Sequence, residues 1–356
     1  MSNTKTASCS VCQGQMLLPS AAQTVRCNKC KTMFKIPETN EQYRSEGGHG
    51  NNSGRMGKNA ASPMSDYKLN PWASIGTGRH QSKRALLCGV SYKKYSFKLD
   101  GTINDVNSVK SLLVGHFSFP NESILVLTEE ANHPDLIPTK TNMQKALKWL
   151  VDGCQSGDSL VFYFSGHGLR QPDFSNDELD GFDETLCPVD FKTAGMILDN
   201  DINTTIVKPL KQGVTLHAII DSCHSGTILD LEHVYNIKDA WVDNKPPSGV
   251  DKSTSGGLAI SISACADNQM AADTSAFTGK GMAGAMTYIL IRAIEAINNI
   301  TYGRLLEFMH ERIEDASKAG CLGVKVLNKM FHRRLIQDPQ LSSSQQFDVN
   351  TTEFKL

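Results

Sequence analysis

Two segments of the sequence join a reactive side chain to small neighbours, a pattern suited to nucleophilic catalysis. The segment SGHG follows an apolar run at 159–164 and contains His167, and the segment DSCH follows a second apolar run at 214–220 and contains Cys223. A thiol becomes a strong nucleophile when a nearby imidazole takes its proton, and the imidazole can then protonate a leaving amine. This pattern predicts Cys223 as a nucleophile and His167 as its proton-transfer partner.

The predicted strands and helices explain how two residues far apart in the sequence would meet. Short apolar runs with the length of buried strands lie at 84–90, 123–129, 159–164, 214–220 and 258–264. Helical spacing of apolar residues is found at 103–116, after a predicted N-cap at Thr141, at 281–297 and at 301–318. Alternating strands and helices predict an α/β fold whose mostly parallel sheet carries helices on both faces. Sites in such sheets form beyond the carboxyl ends of the strands, which is where both reactive segments lie.

Each residue of the pair also has an ordinary structural explanation. A single cysteine at a strand end is usually a small core residue, and a single histidine in a glycine loop is often a turn residue. The presence of both on strands of one predicted sheet favours catalysis. His224 adjoins the nucleophile, but neighbouring side chains project in different directions, so we expect His167 to be the base. Ser222 and Ser225 do not form a GxSxG elbow, which disfavours a serine hydrolase.

The two reactive segments resemble the catalytic blocks of metacaspases, a family of caspase-fold cysteine peptidases. YFSGHG and DSCHSG carry the resemblance, and INDV, DGFDET, CPVDF, SACADNQMAADT and PQLSSS extend it over about residues 84–348. The short stretch between Cys223 and LAISISA is similar to the type I architecture, and the absence of a QACRG block argues against an aspartate-specific caspase. The resemblance implies a caspase-like sheet and peptide hydrolysis through an acyl-enzyme.

The resemblance also implies which residues around the dyad bind the substrate. Asp105, Asp221 and Ser165 match the pocket of the family, which cleaves after Arg or Lys. Carboxylates attract a basic P1 side chain, and arginine can be held bidentately. A carboxylate that stabilises a helix terminus is the alternative for Asp105. We expect the backbone N–H groups of Gly168 and Cys223 to hold the oxyanion of the tetrahedral intermediate.

A group of acidic residues after His167 predicts a calcium site. The family's calcium ligands match Asp183, Asp199, Asn200 and Asp230, and hard oxygen ligands in loops suit this ion. Relatives often carry Asp at position 200, so the amide of Asn200 keeps an oxygen ligand and loses one negative charge. We expect calcium to activate the protein, with an affinity weakened by this change. A solvated acidic loop without an ion is the alternative.

The segment 231–257 is a predicted processing loop. It is polar, contains paired prolines and paired glycines, and carries Lys238, Lys245 and Lys252. An exposed loop with basic residues is open to proteolysis and compatible with the expected specificity. We therefore expect this loop to be exposed and to be cut by the protein itself.

Four cysteines near the start of the sequence predict a structural zinc site. They form two CxxC pairs, at Cys9, Cys12, Cys27 and Cys30. Two such pairs complete a tetrahedron of thiolates with no open position, and metal would supply the folding energy of so small a unit. Redox-active or incidental cysteines are the alternative. The segment resembles the plant lesion-simulating-disease type zinc finger, which implies protein partners. Few basic residues and no aromatic platform disfavour nucleic acid.

Composition and patterning set the domain boundaries and the broad class. The 356 residues have a net charge of −1 and 21% charged residues, so no global charge favours nucleic acid or an acidic membrane surface. The predicted regions are a C4 zinc finger at 1–37, a flexible linker at 38–82, a peptidase domain at 83–348 and a tail at 349–356. The peptidase domain divides into a large-subunit-like part at 83–230, the processing loop at 231–257 and a small-subunit-like part at 258–348.

These features together predict a cysteine endopeptidase that acts in regulated proteolysis or in programmed cell death. We expect zinc and calcium as its metal ions, and protein substrates with Arg or Lys at P1. No signal peptide or membrane-length apolar run is seen, so we expect the protein in the cytoplasm or the nucleus, away from membranes. The family resemblance implies a monomer. The alternative is a weakly active signalling scaffold that works through its zinc finger.

Overall fold

The computed structural model describes residues 82–236, 240–264, 273–274, 283–318 and 339–356, together with four short strands near the start of the chain. The chain divides into two compact units, residues 1–66 and 67–356. The first unit contains two antiparallel hairpins, β1 (Thr4–Ser8) with β2 (Gln15–Pro19) and β3 (Thr24–Arg26) with β4 (Met33–Lys35). The predicted zinc ligands Cys9, Cys12, Cys27 and Cys30 lie outside the described residues, so the zinc site stays a prediction.

The second unit contains the strands and helices that the sequence patterns predict, with several additions. Its strands are β5 (Lys83–Gly89), β6 (Ile124–Thr128), β7 (Ser159–Ser165), β8 (Gly168–Pro172), β9 (Phe182–Leu186), β10 (Ile197–Leu198), β11 (Thr215–Asp221), β12 (His233–Asn236), β13 (Ala240–Asp243), β14 (Leu258–Ser263), β15 (Asp273–Thr274), β16 (Ala283–Gly284) and β17 (Gln340–Ser343). Its helices are α1 (Thr102–Gly115), α2 (Lys140–Val151), α3 (Phe191–Ala194), α4 (Asp199–Ile202), which continues into a π-helical turn at Asn203–Val207, α5 (Ala285–Ala296) and α6 (Tyr302–Lys318). Short 3₁₀ turns lie at Asn121–Ser123 and Pro134–Leu136.

A mixed sheet of eight strands forms the centre of this unit, in the order β13-β12-β17-β14-β11-β7-β5-β6. The five strands from β14 to β6 run parallel, and the other three pair antiparallel beyond β14. All five parallel strands were predicted as apolar runs, and the caspase-like α/β fold is confirmed. β8, β9 and β10 form a separate antiparallel sheet that leaves the end of β7.

Helices cover both faces of the sheet because the strand side chains alternate between two apolar layers. Val161 and Tyr163 of β7 pack toward α1, α5 and α6, while Phe162 and Phe164 pack toward α2 and the π-helical turn. Burying an aliphatic or aromatic side chain of this size contributes roughly 1.5–3 kcal/mol. The two layers therefore fix β7 and its neighbours, whose carboxyl ends carry the reactive segments.

The helix predicted to start after Thr141 begins two residues earlier. Thr139 has extended backbone angles and its hydroxyl oxygen accepts a hydrogen bond from the Asn142 backbone N–H at 3.3 Å, so Thr139 is the N-cap of α2. Thr141 lies inside the first turn. Both threonines are suitable capping residues, but only Thr139 lies outside the helix with the extended backbone of an N-cap.

The sequence patterns missed eight short strands of the second unit and the packing of the end of the chain. Residues 349–356 were predicted as a tail, but Val349 and Phe354 are buried in the core, and the Phe354 N–H donates to the Ile300 carbonyl at 2.8 Å. The short strand β13 lies at the sheet edge. Its Trp241 donates from the indole N–H to the Phe347 carbonyl at 2.8 Å. In the part of the chain that the structure describes, no helix is long and apolar enough to cross a membrane.

Candidate active site

Neighbouring parallel strands bring the two reactive segments to the same level of the sheet. β7 and β11 pair in a register that sets Ser165 opposite Asp221. His167 and Cys223 each follow two residues after those partners, and both are half-buried. The adjacency of these strands, which the pairing of cysteine with histidine requires, is therefore present.

Burial distinguishes Cys223 from the other described cysteines. Cys88, Cys154 and Cys187 are buried, whereas Cys223 is partly accessible. Burial raises the pKa of the Cys187 thiol to about 12, and the nearby Cys223 raises it further. Cys187 therefore stays a neutral thiol at ordinary pH, and Cys223 is the described cysteine placed to act as a nucleophile.

The backbone carbonyl of Phe97 determines which ring nitrogen of His167 can act as a base. The Nε2 atom of His167 lies 2.7 Å from the Phe97 carbonyl oxygen. A carbonyl can only accept a hydrogen bond, so Nε2 carries the proton and donates it. In the neutral ring, Nδ1 is then the nitrogen that can take a proton from a thiol.

Tyr92 contacts both the ring and the backbone of His167, and the sequence analysis did not predict it. Its ring centroid lies 4.6 Å from that of His167, its hydroxyl accepts from the His167 backbone N–H at 3.0 Å, and it donates to the Cys187 carbonyl at 2.5 Å. Its own backbone has a positive φ of 51° and is held by the Glu129 carboxylate, which accepts from the Tyr92 N–H at 2.7 Å. An aromatic residue shortly after the end of a strand beside β7 is the signal that could have found it.

The predicted oxyanion donors lie on backbones that touch each other. A side chain at Gly168 would collide with the carbonyl oxygen of Cys223, so only glycine allows this approach. At Gly166, a Cβ atom would lie 3.1 Å from the Tyr92 hydroxyl oxygen. The glycines of the segment SGHG are therefore required by close packing around the dyad, and the oxyanion role of Gly168 and Cys223 stays a prediction.

The three predicted pocket residues meet at the start of α5. Asp105 accepts a hydrogen bond from the Gly284 N–H at 3.0 Å and from the Ser165 hydroxyl at 3.2 Å. Asp221 accepts from the backbone N–H and the hydroxyl of Thr287 at 3.1 and 2.6 Å. A side chain at Gly284 would collide with the Asp221 carboxylate. We name Asp105 and Asp221, which Gly284 separates, the acid pair.

The acid pair is buried and faces the positive end of a helix. The exposed fractions of Asp105 and Asp221 are 2% and 5%. Backbone N–H groups and the helix dipole stabilise the two negative charges in this position. Burial raises the pKa of the neighbouring Tyr163 hydroxyl, and the charges of Asp105 and Asp221 raise it further. The alternative explanation of Asp105 as a helix-terminus carboxylate thus applies to α5, and its role in a substrate pocket stays a prediction.

Two of the four predicted calcium ligands, Asn200 and Asp230, contact a lysine. Lys252 contacts Asp230 at 2.6 Å and Asp177 at 2.7 Å through its Nζ atom, and it also donates to the Asn200 side-chain oxygen. Asp199 accepts from two backbone N–H groups, of which that of Glu184 lies at 2.5 Å. The carboxylate of Asp183 accepts from the Gln171 amide at 3.0 Å. The structure therefore places Asp199 and Asp230 in one carboxylate group and Asp183 in a neighbouring one, and the Lys252 ammonium binds Asp230 and Asn200.

The raised pKa values of the carboxylates and the position of Lys252 both disfavour calcium binding in this region. Burial raises the pKa of Asp199 to about 10 and that of Glu178 to about 11, and the Asp230 charge adds to both shifts. Burial lowers the pKa of Lys252, but the charges of Asp230 and Asp177 outweigh this effect and raise it. The oxygens of Asp230 and Asn200 that calcium would need are engaged by Lys252. The residues as arranged do not fit a calcium ion, and calcium activation stays a prediction.

The predicted exposure of the processing loop holds for part of that loop only. Lys245 is exposed, whereas Lys252 has an exposed fraction of 3%, so the prediction for Lys252 was wrong. The acidic residues draw its ammonium inward, which no property of the loop itself indicates. Residues 233–236 and 240–243 form β12 and β13 of the sheet, and Lys238 lies outside the described residues.

Comparisons with known proteins agree on one family. A family model described as "Metacaspase, peptidase C14 domain" matches residues 83–232. The chain is 43% identical to Metacaspase-1 of Arabidopsis thaliana over 362 residues, which cover 98% of this chain and 95% of the relative. It is 44% identical to Metacaspase-3 of the same plant over 279 residues, covering 77% of this chain and 75% of the relative. A crystal structure from Geobacter sulfurreducens shares the fold, with a TM-score of 0.51, 20% identity and coverage of 77% and 97%.

The fold and the cysteine–histidine site define a cysteine-type endopeptidase with a caspase-like α/β domain. Its closeness to the Arabidopsis proteins goes beyond the shared fold, because the similarity spans nearly the whole of both chains. The chain belongs to the metacaspase family.

Proposed function

We propose that this endopeptidase hydrolyses peptide bonds after arginine or lysine, with Cys223 as the nucleophile and His167 as the general base and acid. The acid pair is the observation that supports this specificity best. Asp221, at the end of β11 two residues before Cys223, and Asp105 of α1 are buried carboxylates that form a negative site suited to a guanidinium or an ammonium. An aspartate at P1 would meet like charges there, which disfavours binding.

In the proposed mechanism, Nε2 of His167 keeps its proton and donates it in a hydrogen bond to the Phe97 carbonyl oxygen, while Nδ1 takes the thiol proton of Cys223. The thiolate attacks the scissile carbonyl carbon, and backbone N–H groups, for which we propose those of Gly168 and Cys223, stabilise the oxyanion. The imidazolium then protonates the amine as the C–N bond breaks. The same imidazole takes a proton from water as the water oxygen attacks the thioester carbon. The C–S bond then breaks, the imidazolium returns its proton to the sulfur of Cys223, and the new carboxylic acid ionises in the solvent.

Access to the acid pair depends on the start of α5. In the structure, the N–H groups of Gly284 and Thr287 occupy acceptor positions on Asp105 and Asp221. A substrate guanidinium would replace these neutral donors with a planar set of charged ones, which can bind a carboxylate through two parallel hydrogen bonds. We propose that substrate binding moves Gly284 away from the acid pair.

Peptides that differ only at P1 test the proposed specificity. Cleavage of Arg, Lys, citrulline and Asp peptides by the full chain is compared with that by Cys223→Ala, which controls for contaminating peptidases. We expect turnover of the Arg and Lys peptides and none by the variant. Citrulline keeps the shape of arginine without its charge, so equal cleavage of both would contradict an electrostatic pocket. Absence of Arg cleavage under every condition would favour the scaffold.

Calcium activation and self-processing belong to the same proposal as regulatory features. Calcium could bind to the predicted ligands only after Lys252 had left Asp230 and Asn200. For self-processing, the exposed Lys245 fits an accessible cleavage position, whereas Lys252 does not. Incubation of the full chain with chelator or with calcium, followed by mass determination of the fragments, tests both features. An intact chain under both conditions would contradict self-processing.

We propose a structural zinc ion and a protein-binding role for the N-terminal unit, together with type I architecture. The support is the spacing of four cysteines as two pairs, each of which follows a strand of a described hairpin. Regulated proteolysis or programmed cell death in the cytoplasm or nucleus, by a monomer, completes the proposal. Metal analysis of the full chain tests the zinc site: one zinc per chain is expected, and Cys12→Ser should lose it.

A further inference from the structure

Lys252 has a complete set of partners inside the domain. Its side chain is nearly fully buried, and its ammonium donates to one oxygen each of Asp177, Asp230 and Asn200. An ammonium has three N–H donors, so three acceptors satisfy it. Its backbone carbonyl accepts from the Asn203 amide at 3.2 Å. Both ends of the residue are therefore fixed.

The ammonium joins two groups of carboxylates that could each hold a metal ion. Asp173, Asp177 and Asp183 bring carboxylate oxygens within 4.8 Å of one another, and so do Glu178, Asp199 and Asp230. Lys252 contacts Asp177 of the first group and Asp230 of the second. We name these six carboxylates, with Asn200, the acidic cluster. A single positive charge thus bridges both halves of the cluster.

The amide at position 200 suits an ammonium better than a divalent cation. Asn200 offers a carbonyl oxygen to a Lys252 N–H without adding a negative charge. A change from a divalent to a monovalent cation leaves one negative charge in excess, and asparagine in place of aspartate removes one. Asn200 with the Lys252 ammonium therefore gives the cluster the same net charge as an aspartate at position 200 with a divalent cation. Asn200 without the ammonium would only weaken a calcium site.

Part of the cluster has spare acceptor capacity. One carboxylate oxygen of Asp177 and one of Asp183 are buried and have no hydrogen-bond partner among the described residues. Buried acceptors without partners are rare and destabilising. These two oxygens give a divalent cation ligands that Lys252 does not use, so calcium has a reason to enter once the ammonium is absent.

We propose that the Lys252 ammonium is the resident cation of the acidic cluster, and that calcium binds there only when Lys252 has left. Lysine and calcium then compete for the oxygens of Asp230 and Asn200. The protein needs no calcium to hold this region together, and calcium binding would release the chain around Lys252. This inference concerns binding to the cluster and is independent of the P1 specificity proposed above.

Calcium titration of the full chain in a Cys223→Ala background tests the competition without self-cleavage. Calorimetry compares this parent with Lys252→Met, which keeps the length of the side chain and removes its charge. Lys245→Met is the matched control, because Lys245 is an exposed lysine of the same segment. We expect Lys252→Met to bind calcium at least about tenfold more tightly than the parent and the control, a difference of about 1.4 kcal/mol. Equal affinities, or no binding by Lys252→Met, would overturn the proposal.

Chemical labelling tests the same idea without a change at Lys252. Acetic anhydride is added in trace amounts to the Cys223→Ala chain, and mass spectrometry gives the acetylation rates of Lys252 and Lys245. We expect Lys252 to react at least about tenfold more slowly, because its ammonium is buried and paired. Added calcium should raise the rate of Lys252 in proportion to the calcium bound. Equal rates without calcium, or calcium binding that leaves the rate of Lys252 unchanged, would refute the proposal.

Discussion

The acid pair and the acidic cluster contain the same kind of residue at the same depth, yet their charges are balanced in different ways. Asp105 and Asp221 face neutral N–H and hydroxyl donors at the start of α5. Asp177 and Asp230 face a full positive charge on Lys252. All four carboxylates are buried. Burial alone therefore does not determine whether an acidic site can bind an external cation. The charge of the residue that already contacts the carboxylates determines it.

Under the proposed specificity, this difference would let one chain use carboxylates both for recognition and for structure. Among the described residues, the donors to the acid pair are neutral, and under the proposed specificity a basic substrate side chain would bring the positive charge. The ammonium of Lys252 neutralises part of the acidic cluster from inside, and removal of one partner from a buried ion pair costs about 3–5 kcal/mol. The acid pair is thus suited to exchange its partner, and the cluster is suited to keep it.

Removal of the ammonium should give the largest effect. In the Cys223→Ala background without calcium, Lys252→Met leaves buried carboxylates uncompensated, so we expect the free energy of unfolding to fall by about 3–5 kcal/mol. Urea unfolding followed by circular dichroism measures this change. Lys245→Met should alter it by less than about 1 kcal/mol, because its partner Asp243 is exposed. A similar small change in both variants would show that the cluster does not depend on its lysine.

Removal of one charge from the acid pair should act on catalysis. Asp221→Asn keeps the shape of the side chain, and we expect kcat/KM for an Arg peptide to fall by about 100-fold, within the 2–5 kcal/mol typical of a lost buried charge partner. Cleavage of the citrulline peptide should change far less. Asp243→Asn, at an exposed position, is the control. A parallel loss for both peptides would mean that Asp221 supports α5 and does not select the P1 charge.

A methyl group at Gly284 should disturb the packing of the acid pair against the start of α5. In Gly284→Ala the new Cβ would meet the Asp221 carboxylate, so either the carboxylate or the start of α5 must move. We expect a loss of about 1–3 kcal/mol of stability, the usual effect of overpacking. The melting temperature of the Cys223→Ala chain measures it. Gly249→Ala is not a suitable control, because Gly249 has a positive φ, whereas Gly115→Ala lies in open space with no such strain.

A change that touches neither acidic site should give the smallest effect. Tyr92→Phe keeps the ring beside His167 and removes the hydroxyl between His167 and Cys187. We expect kcat to fall by roughly 5- to 10-fold with little change in KM, because one hydrogen bond of about 1 kcal/mol positions the base. An effect on KM alone would place Tyr92 in substrate binding instead.

The sequence predicted the parts of the molecule that local patterns specify. Five apolar runs became the five parallel strands, and the ends of β7 and β11 carry His167 and Cys223 as expected. β12 and β13 were missed because strands of four residues, partly polar, leave no clear alternation. The contact of Lys252 with Asp177 was missed because it joins loops 75 positions apart and depends on the fold of both. Sequence patterns indicate which residues carry charge, whereas the partner of each charge depends on the tertiary structure.

The packing of Trp241 gives the protein an optical signal for the state of its processing loop. Its indole lies between Tyr235 and Phe347, with ring centroids 5.3 and 5.2 Å away. Such a half-buried indole emits at shorter wavelength than one in water. If cleavage or calcium released this edge of the sheet, the emission would move to the red and energy transfer from Tyr235 would fall. With Trp72 and Trp149, the other two tryptophans, replaced by phenylalanine, detachment of β13 could be followed in real time without any label.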